Sequence, residues 1–153
     1  MKTIRILIAD DHTIVRQGFK ALLETIPGFE VVVEASDGAE AVDQIDKVRP
    51  DIALMDIMMP NLNGLEATEI ATRRKLGTKI LILSMHANST YAVRALKNGA
   101  QGYVLKDADQ DEIVTAIRTV MSGSRYISPK ISDEVLTALI EIDQTSDNLL
   151  EEL

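Results

Sequence analysis

Short apolar runs alternate with segments of helical period five times along the chain. The five strand candidates are TIRILIA (3–9), FEVVVEA (29–35), DIALMD (51–56), TKILILS (78–84) and GYVLK (102–106). Between them, apolar residues recur three and four positions apart, which predicts helices with one buried face. The clearest stripes are Ile14, Val15, Gly18, Phe19, Leu22 and Leu23, then Ala41, Val42, Ile45 and Val48, and later Ile113, Ala116, Ile117, Val120 and Met121. Weaker patterns predict helices over about 64–76 and 90–98.

Residues that favour helix ends support these helices. Asp109 and Glu112 predict a capping box at the start of the fifth helix. Gly99 predicts a left-handed residue just past a helix that ends at Asn98. Strands that alternate with helices indicate an α/β fold, a doubly wound five-stranded parallel sheet with helices on both faces. The continuous apolar runs of the central strands are typical of parallel strands that are buried on both sides.

Polar side chains follow the predicted strands at the points where they end. The first strand is followed by Asp10 and Asp11, the third ends on Asp56, the fourth on Ser84 and the fifth on Lys106. The carboxyl ends of parallel strands share one edge, where ligands bind, so these side chains are expected to converge. Taken singly, each has an ordinary structural explanation, such as a helix cap for the paired aspartates. Their joint placement favours a functional site.

The residue types at this edge suggest a particular chemistry. Three converging carboxylates repel one another unless a cation lies among them. Because these donors are oxygens and the chain has no cysteine, Mg²⁺ is the expected ion. The Ser84 hydroxyl and the Lys106 ammonium suit the oxygens of a phosphoryl group. A carboxylate beside a divalent ion and a lysine is able to accept that group as an acyl phosphate, and Asp56 holds the most central position.

The composition narrows the class of protein further. With 153 residues the chain has room for about one domain and a short extension. Its net charge of -8 argues against nucleic acid binding by this chain, because DNA-reading surfaces are usually basic. No apolar run approaches the ~18 residues of a membrane span. The N-terminal sequence MKTIRILIADD ends in two acidic residues and contains no signal-peptidase cleavage site with small residues. It therefore favours a strand over a signal peptide. A cytoplasmic protein without membrane contact is expected.

Four motifs give the chain a specific resemblance. IADDH, PDIALMDIMMPNLNG, LILSMH and GYVLKD follow one another in order and at the spacing found in response-regulator receiver domains. The chain resembles that family over about residues 3–122. The resemblance implies a flavodoxin-like fold with strand order 2-1-3-4-5. It also implies a phosphorylation-dependent switch, with self-catalysed phosphotransfer and slow autodephosphorylation, instead of an enzyme acting on other substrates.

The resemblance assigns roles to the residues at the strand ends. Asp56 would be the phosphoacceptor, and the donor would be a phosphohistidine on a sensor histidine kinase. Ser84 and Lys106 would bind the phosphoryl group, and Tyr103 would be the aromatic residue whose rotamer follows Ser84. The ligands implied for Mg²⁺ are Asp10, Asp11, Asp56 and the backbone carbonyl of Met58.

Some positions depart from the common receiver pattern. Met85 is bulky where many receivers carry alanine or glycine, so access to Asp56 is expected to be narrower. Asp107 follows Lys106 where many receivers have proline, which leaves the local peptide geometry open. Both features are familiar in the subfamily with a LuxR/NarL-type helix-turn-helix output. His12 and His86 suggest metal ligands, but a surface or supporting role is favoured because no third nitrogen or thiol lies nearby in sequence.

The chain continues beyond the predicted receiver of residues 1–123. Ser128 and Pro129 suit the N-cap and the first residue of another helix, and residues 124–153 are predicted to form a linker helix and a polar tail. The helical stripe is Ile131, Val135, Ala138, Leu139 and Ile142. This helix is expected to pack on its own receiver or to bridge to another domain, with a dimer seam as the alternative.

Three functions remain to be separated. The first is the receiver of a DNA-binding response regulator, whose helix-turn-helix domain is expected to follow Leu153. A homodimer that forms on phosphorylation is a possible partner state of this protein. The second is a stand-alone receiver that acts through protein contacts. The third is a phosphatase with an aspartyl nucleophile of the haloacid dehalogenase type, but such enzymes place a second aspartate where this chain has Met58.

Overall fold

The computed structural model of the chain describes residues 2–151, with side chains through residue 142. The strands are β1 (Ile4–Ala9), β2 (Phe29–Ala35), β3 (Ile52–Asp56), β4 (Lys79–Ser84), β5 (Gly102–Leu105) and β6 (Tyr126–Ile127). The helices are α1 (Thr13–Glu24), α2 (Gly38–Val48), α3 (Gly64–Arg73), α4 (Ser89–Lys97), α5 (Gln110–Met121) and α6 (Pro129–Glu151). All five predicted strands and the helices between them are present.

The strands form one parallel sheet in the order β2-β1-β3-β4-β5-β6. The predicted order 2-1-3-4-5 is confirmed, and the sixth strand is an addition that the sequence pattern did not predict. In β6, Tyr126 pairs with Gly102 and Ile127 pairs with Tyr103. A strand of two residues is too short to show a period, so the sequence pattern does not predict it.

Two apolar layers cover the faces of the sheet, because successive strand residues point to opposite sides. In β1, Leu7 and Ala9 face the layer that holds α2, α3 and α4, whereas Ile6 and Ile8 face the layer of α1 and α5. The predicted doubly wound arrangement is therefore confirmed. It leaves the carboxyl ends of β1, β3, β4 and β5 along one edge of the sheet.

The helix ends differ from the predictions in detail. Gly99 has φ +112°, as predicted for the residue after α4, and a Cβ there would also overlap the Thr72 side chain. At α5, the Asp109 carboxylate accepts from the Glu112 amide at 2.9 Å. The Glu112 carboxylate does not return to Asp109, since it contacts the hydroxyls of Tyr126 and Ser128 at 3.2 and 3.3 Å. Only half of the predicted capping box is therefore formed.

The last helix packs on its own receiver. It begins at Pro129 as predicted, and Ile131 and Val135 are fully buried against the layer that also holds α4. Three further members of the stripe, Ala138, Leu139 and Ile142, are half-buried on the same layer. The helix continues to Glu151, through most of the stretch expected to be a polar tail. The side chains of that tail and residues 152–153 lie outside the described residues.

Candidate functional site

The edge formed by the strand ends gathers the polar residues that the sequence analysis singled out. Asp10, Asp56 and Ser84 are buried, with 2%, 7% and 0% of their surface exposed. The Lys106 side chain is 10% exposed, and that of Asp11 is 31% exposed. The expected convergence is thus present, and it joins residues up to 96 positions apart in the chain.

Lys106 is the centre of the charges in this site. Its Nζ lies 2.8 Å from Asp10 Oδ2 and 3.2 Å from Asp56 Oδ2. Burial alone would lower the pKa of Lys106, but its hydrogen bond to Asp10 and the charge of Asp56 raise that pKa overall. Lys106 therefore stays protonated and shares one positive charge between two buried carboxylates.

Asp56 has an environment that disfavours its ionised form. Burial raises the pKa of Asp56, and nearby Asp10 raises it further, although Lys106 opposes both effects. The remaining oxygen, Oδ1, accepts from the Ile57 amide at 2.8 Å. Lys106 supplies one positive charge for the two carboxylates of Asp10 and Asp56, so one negative charge is not neutralised. An additional cation near Asp56 would neutralise it.

His12 joins the acidic group more closely than its surface position suggested. Its ring is 68% exposed, yet Nδ1 lies 3.0 Å from Asp11 Oδ1 and 3.3 Å from Asp10 Oδ1. One donor atom from each of Asp10, Asp11, His12 and Asp56 lies within 4.8 Å of the others. This donor set, rich in carboxylate oxygens and open to solvent on one side, is compatible with a divalent ion that keeps several waters.

The backbone of the site is fixed by contacts that the sequence did not reveal. Arg16 donates from Nη1 to the carbonyl oxygen of Asp10 at 2.6 Å and pairs through Nε with Glu34 at 3.1 Å. Arg16 lies on α1 among residues of ordinary helical pattern, so no sequence signal distinguishes it from a solvated arginine.

A glycine allows the backbone of α3 to approach Asp56. The Gly64 amide donates to the Ile57 carbonyl at 2.8 Å, and a Cβ at Gly64 would overlap the carbonyl oxygen of Asp56. The loop between them carries Met58, whose side chain is 58% exposed. The assignment of the Met58 carbonyl as a metal ligand stays a prediction.

Ser84 and Tyr103 are linked through the backbone of His86. The Ser84 hydroxyl accepts from the His86 amide at 3.0 Å, and the Tyr103 hydroxyl donates to the His86 carbonyl at 2.7 Å. Tyr103 is fully buried, so its ring lies inward in this structure. The His86 ring in turn lies 4.9 Å from the ring of Tyr91 on α4. His86 therefore contacts Ser84 and Tyr103 through its main chain, and its ring contacts α4.

The two departures from the common pattern are accommodated without distortion. The Met85 side chain is 74% exposed, and it forms part of a cavity of about 140 Å³ beside Ser84 and Lys106. The described chain contains no cis peptide bond, so Lys106 and Asp107 are joined by an ordinary trans peptide.

A known protein family matches most of this chain. The model of the response regulator receiver domain family matches residues 6–118. The chain belongs to this family. It is 43% identical over 133 residues to the transcriptional regulatory protein DegU of Brevibacillus brevis, covering 87% of this chain and 56% of that protein. It is 40% identical over 142 residues to the response regulator UvrY of Escherichia coli, covering 93% of this chain and 65% of that protein.

Solved structures agree with the family and with the LuxR/NarL type. A LuxR-family response regulator from Aurantimonas matches with a TM-score of 0.85 and 40% identity, over 91% of this chain and 99% of that one. The receiver domain of the putative response regulator NarL from Mycobacterium tuberculosis matches with a TM-score of 0.78 and 34% identity, over 80% and 99% of the two chains. The chain therefore spans only 56% and 65% of the lengths of DegU and UvrY. None of its described helices is both long and apolar enough to span a membrane.

Proposed function

We propose that this receiver accepts a phosphoryl group on Asp56 from a phosphohistidine of a sensor histidine kinase. The observation that carries the proposal is the pairing of buried Lys106 with both Asp56 and Asp10 at the carboxyl edge of the sheet. A buried carboxylate beside a fixed ammonium has a nucleophilic oxygen and a positive charge for the incoming phosphoryl oxygens. Asp56 Oδ would attack phosphorus, and the histidine nitrogen would leave.

The neighbouring residues would each hold part of the phosphoryl group. Lys106 would bind one of its oxygens, and the Ser84 hydroxyl would bind another after giving up its contact with the His86 amide. Tyr103, whose hydroxyl also contacts the His86 main chain, would then respond to the movement of that loop. The switch would therefore be the segment that connects β4 to α4, which has two arrangements that the phosphoryl group biases differently.

Asp10, Asp11 and Asp56, with the carbonyl of Met58, would hold Mg²⁺. The carboxylate-rich donor set fits that ion, which accepts a few protein oxygens and keeps several waters. When bound, the ion would supply positive charge that offsets the carboxylates and the phosphoryl oxygens. The phosphotransfer would be the chain's own chemistry, with slow autodephosphorylation and no turnover of other substrates.

The output would be transcriptional. The names of DegU, a transcriptional regulatory protein, and of the LuxR-family structure support a DNA-binding domain connected to this receiver. Residues 1–123 would form the phosphoacceptor domain, and residues 124–153 would connect it to that output domain. Phosphorylation would then favour a homodimer that binds paired DNA sites in the cytoplasm, with no DNA contact by the acidic receiver itself.

Phosphorylation of the purified chain tests the assignment. With Mg²⁺ and a small acyl phosphate, the wild-type chain should gain one phosphoryl group that is labile to base, detected by intact-protein mass spectrometry. The group should be absent in Asp56→Asn and in Asp11→Ala, and it should not form in EDTA. Asp107→Asn is the matched control, because Asp107 is an exposed aspartate next to Lys106. Undiminished labelling of Asp56→Asn would show that another residue is the acceptor.

A further inference from the structure

Ser128 is a buried polar residue that the proposed phosphotransfer does not use. The described part of the chain buries five polar side chains almost completely, namely those of Asp10, Asp56, Thr68, Ser84 and Ser128. Three belong to the site, and the Thr68 hydroxyl donates within its own helix to Gly64 at 2.7 Å. Ser128, which is 2% exposed, remains without an explanation from the proposed phosphotransfer.

Ser128 is bonded to β5 at two points. Its amide donates to the Tyr103 carbonyl at 3.0 Å, and its hydroxyl accepts from the Leu105 amide at 3.0 Å. The hydroxyl also donates to the Glu112 carboxylate at 3.3 Å. Although the sequence predicted a helix cap, these hydroxyl contacts lie outside α6. Ser128 therefore contacts the backbone of the switch aromatic and of the residue that precedes Lys106.

The same residue directly precedes the last helix. Pro129 follows it directly, and α6 then lies on the apolar layer that holds α4, with Ile131 and Val135 buried. A surface ion pair between Lys130 and Asp107, at 3.1 Å, adds a second tie between α6 and the loop after β5. Both partners of that pair are largely exposed, so it contributes little. The buried contacts of Ser128 are the stronger connection.

We propose that Ser128 is a positioning residue that couples Lys106 and Tyr103 to the docking of α6. This inference rests on the proposed phosphorylation of Asp56. It adds a route that leads from the phosphoryl site to the segment that follows the receiver, through hydrogen bonds on the outer edge of β5.

The order of the strands sets the direction of the effect. Lys106 reaches from β5 towards β3 and β1, whereas Ser128 binds the opposite edge of β5, next to β6. Lys106 Nζ already lies 3.2 Å from Asp56 Oδ2, so a phosphoryl group that enters between them displaces the end of β5 and strains the bond between the Leu105 amide and Ser128. A cavity of about 350 Å³ between the loop after β5 and the start of α6 gives this loop room to move. Phosphorylation thus loosens α6 from the receiver.

Hydrogen exchange of the full chain tests the coupling. In the wild type, phosphorylation with a small acyl phosphate should speed exchange of the Leu105 amide and of residues 130–142 about tenfold, the size expected for loss of one buried hydrogen bond. In Ser128→Ala those amides should already exchange at the faster rate, and phosphorylation should add less than about twofold. Ser132→Ala, on the same helix with an exposed hydroxyl, should behave as the wild type.

The outcomes separate this inference from the proposed function. Failure of the wild type to gain a phosphoryl group on Asp56 would overturn the proposed function and the coupling together. Normal phosphorylation with an α6 response in Ser128→Ala equal to that of the wild type would overturn the coupling alone. Ser128→Thr keeps the hydroxyl and should restore the wild-type response, and equal loss of response in the alanine and threonine variants would exclude a role for the hydroxyl.

Discussion

Two groups of polar side chains lie on opposite edges of β5, and they differ in how their charges are balanced. On the inner edge, Lys106 faces two buried carboxylates, Asp10 and Asp56, and burial raises the pKa of Asp56. On the outer edge, Ser128 and Tyr126 direct hydroxyls to the single carboxylate of Glu112. The inner group holds two carboxylates and one ammonium, so its negative charge is not fully neutralised. In the outer group, each polar side chain has a hydrogen-bond partner.

The contrast explains how one strand can border both a charged cluster and a stable attachment of α6. Excess negative charge destabilises the inner group but makes it responsive to any cation or phosphoryl group that changes the balance. The hydrogen bonds of the outer group are complete without a ligand. These hydrogen bonds change only when the backbone of β5 moves. Rigid backbone contacts must therefore hold the inner group, whereas side-chain hydrogen bonds are sufficient for the outer one.

Gly64 provides the largest test of the rigid backbone around Asp56. Gly64→Ala should destabilise the protein by about 3 kcal/mol, because its Cβ would overlap the Asp56 carbonyl and the main chain would have to move. Phosphorylation of the folded fraction should fall as well, since Asp56 moves with its backbone. Urea denaturation and the phosphorylation assay measure the two effects.

Gly18 is the matched control for this substitution. It lies on α1 with open space around the position of a Cβ. Gly18→Ala should therefore stabilise the protein by about 0.5–1 kcal/mol, through the lower entropy of the unfolded chain. Equal effects of the two alanines would mean that the backbone around Asp56 is not as constrained as the structure indicates.

The inner group could be predicted from the sequence, and the reason is geometric. Parallel strands bring their carboxyl ends to one edge, so residues after each strand converge even when they are distant in the chain. The strand pattern alone is sufficient to predict the convergence of Asp10, Asp56, Ser84 and Lys106. The contacts of His12 and Arg16 could not be predicted in this way, because each lies near the start of a helix where a polar side chain is ordinary.

The outer group could not be predicted, because it depends on a strand of two residues. Tyr126 and Ile127 show no period, and without β6 nothing places Glu112 near Ser128. The local rule for a capping box assigned Glu112 to the amide of Asp109, and the tertiary partners supplied by β6 replaced that contact. Local signals are reliable for a helix end only where no other chain segment competes for the side chain.

Lys106→Met should give the next largest effect. Loss of the ammonium removes the fixed positive charge that is proposed to bind the phosphoryl oxygens, and we expect phosphorylation to slow about 100-fold or more. Lys130→Met removes an exposed lysine from the outer side and should change the rate less than about twofold. Rates from a time course with a small acyl phosphate provide the measurement, and similar rates in the two variants would contradict the role of Lys106.

The docking of α6 on the receiver can be tested through its two faces. Val135→Ala removes two methyl groups from a fully buried position and should lower the free energy of unfolding by about 1.5–2 kcal/mol. Leu136→Ala changes a residue that is 59% exposed on the outer face, and we expect an effect within about 0.5 kcal/mol. Equal free energies for these variants in urea would show that α6 does not pack on the core in solution.

Asp56→Asn should stabilise the metal-free protein at neutral pH, by roughly 1 kcal/mol. Burial raises the pKa of Asp56 above its ordinary value of 3.8, so the folded state favours the protonated carboxyl. The stability that this group contributes is fully present below pH 3.8 and is lost as the pH rises through the folded pKa. In EDTA the advantage of the asparagine variant should therefore be largest near pH 7 and should shrink towards pH 4. A variant less stable than the wild type at pH 7 would contradict excess charge in the inner group.

The smallest effect is expected at Tyr126 in the outer group. Burial, with the charge and hydrogen bond of Glu112, raises the pKa of Tyr126 from 10.0 to about 12. The folded state thus favours the protonated phenol, and its contribution to stability is complete below pH 10 and is lost as the pH rises through about 12. Tyr126→Phe should be less stable than the wild type by about 0.5 kcal/mol at pH 7, through the lost hydrogen bond to Glu112. The difference should shrink between pH 10 and 12, where the wild type alone loses this contribution.

In a Glu112→Gln background, the decrease of this stability difference between pH 10 and 12 should be smaller, because one cause of the raised pKa of Tyr126 is removed. A difference that stays constant across this range in urea would mean that Tyr126 does not contact Glu112 in solution.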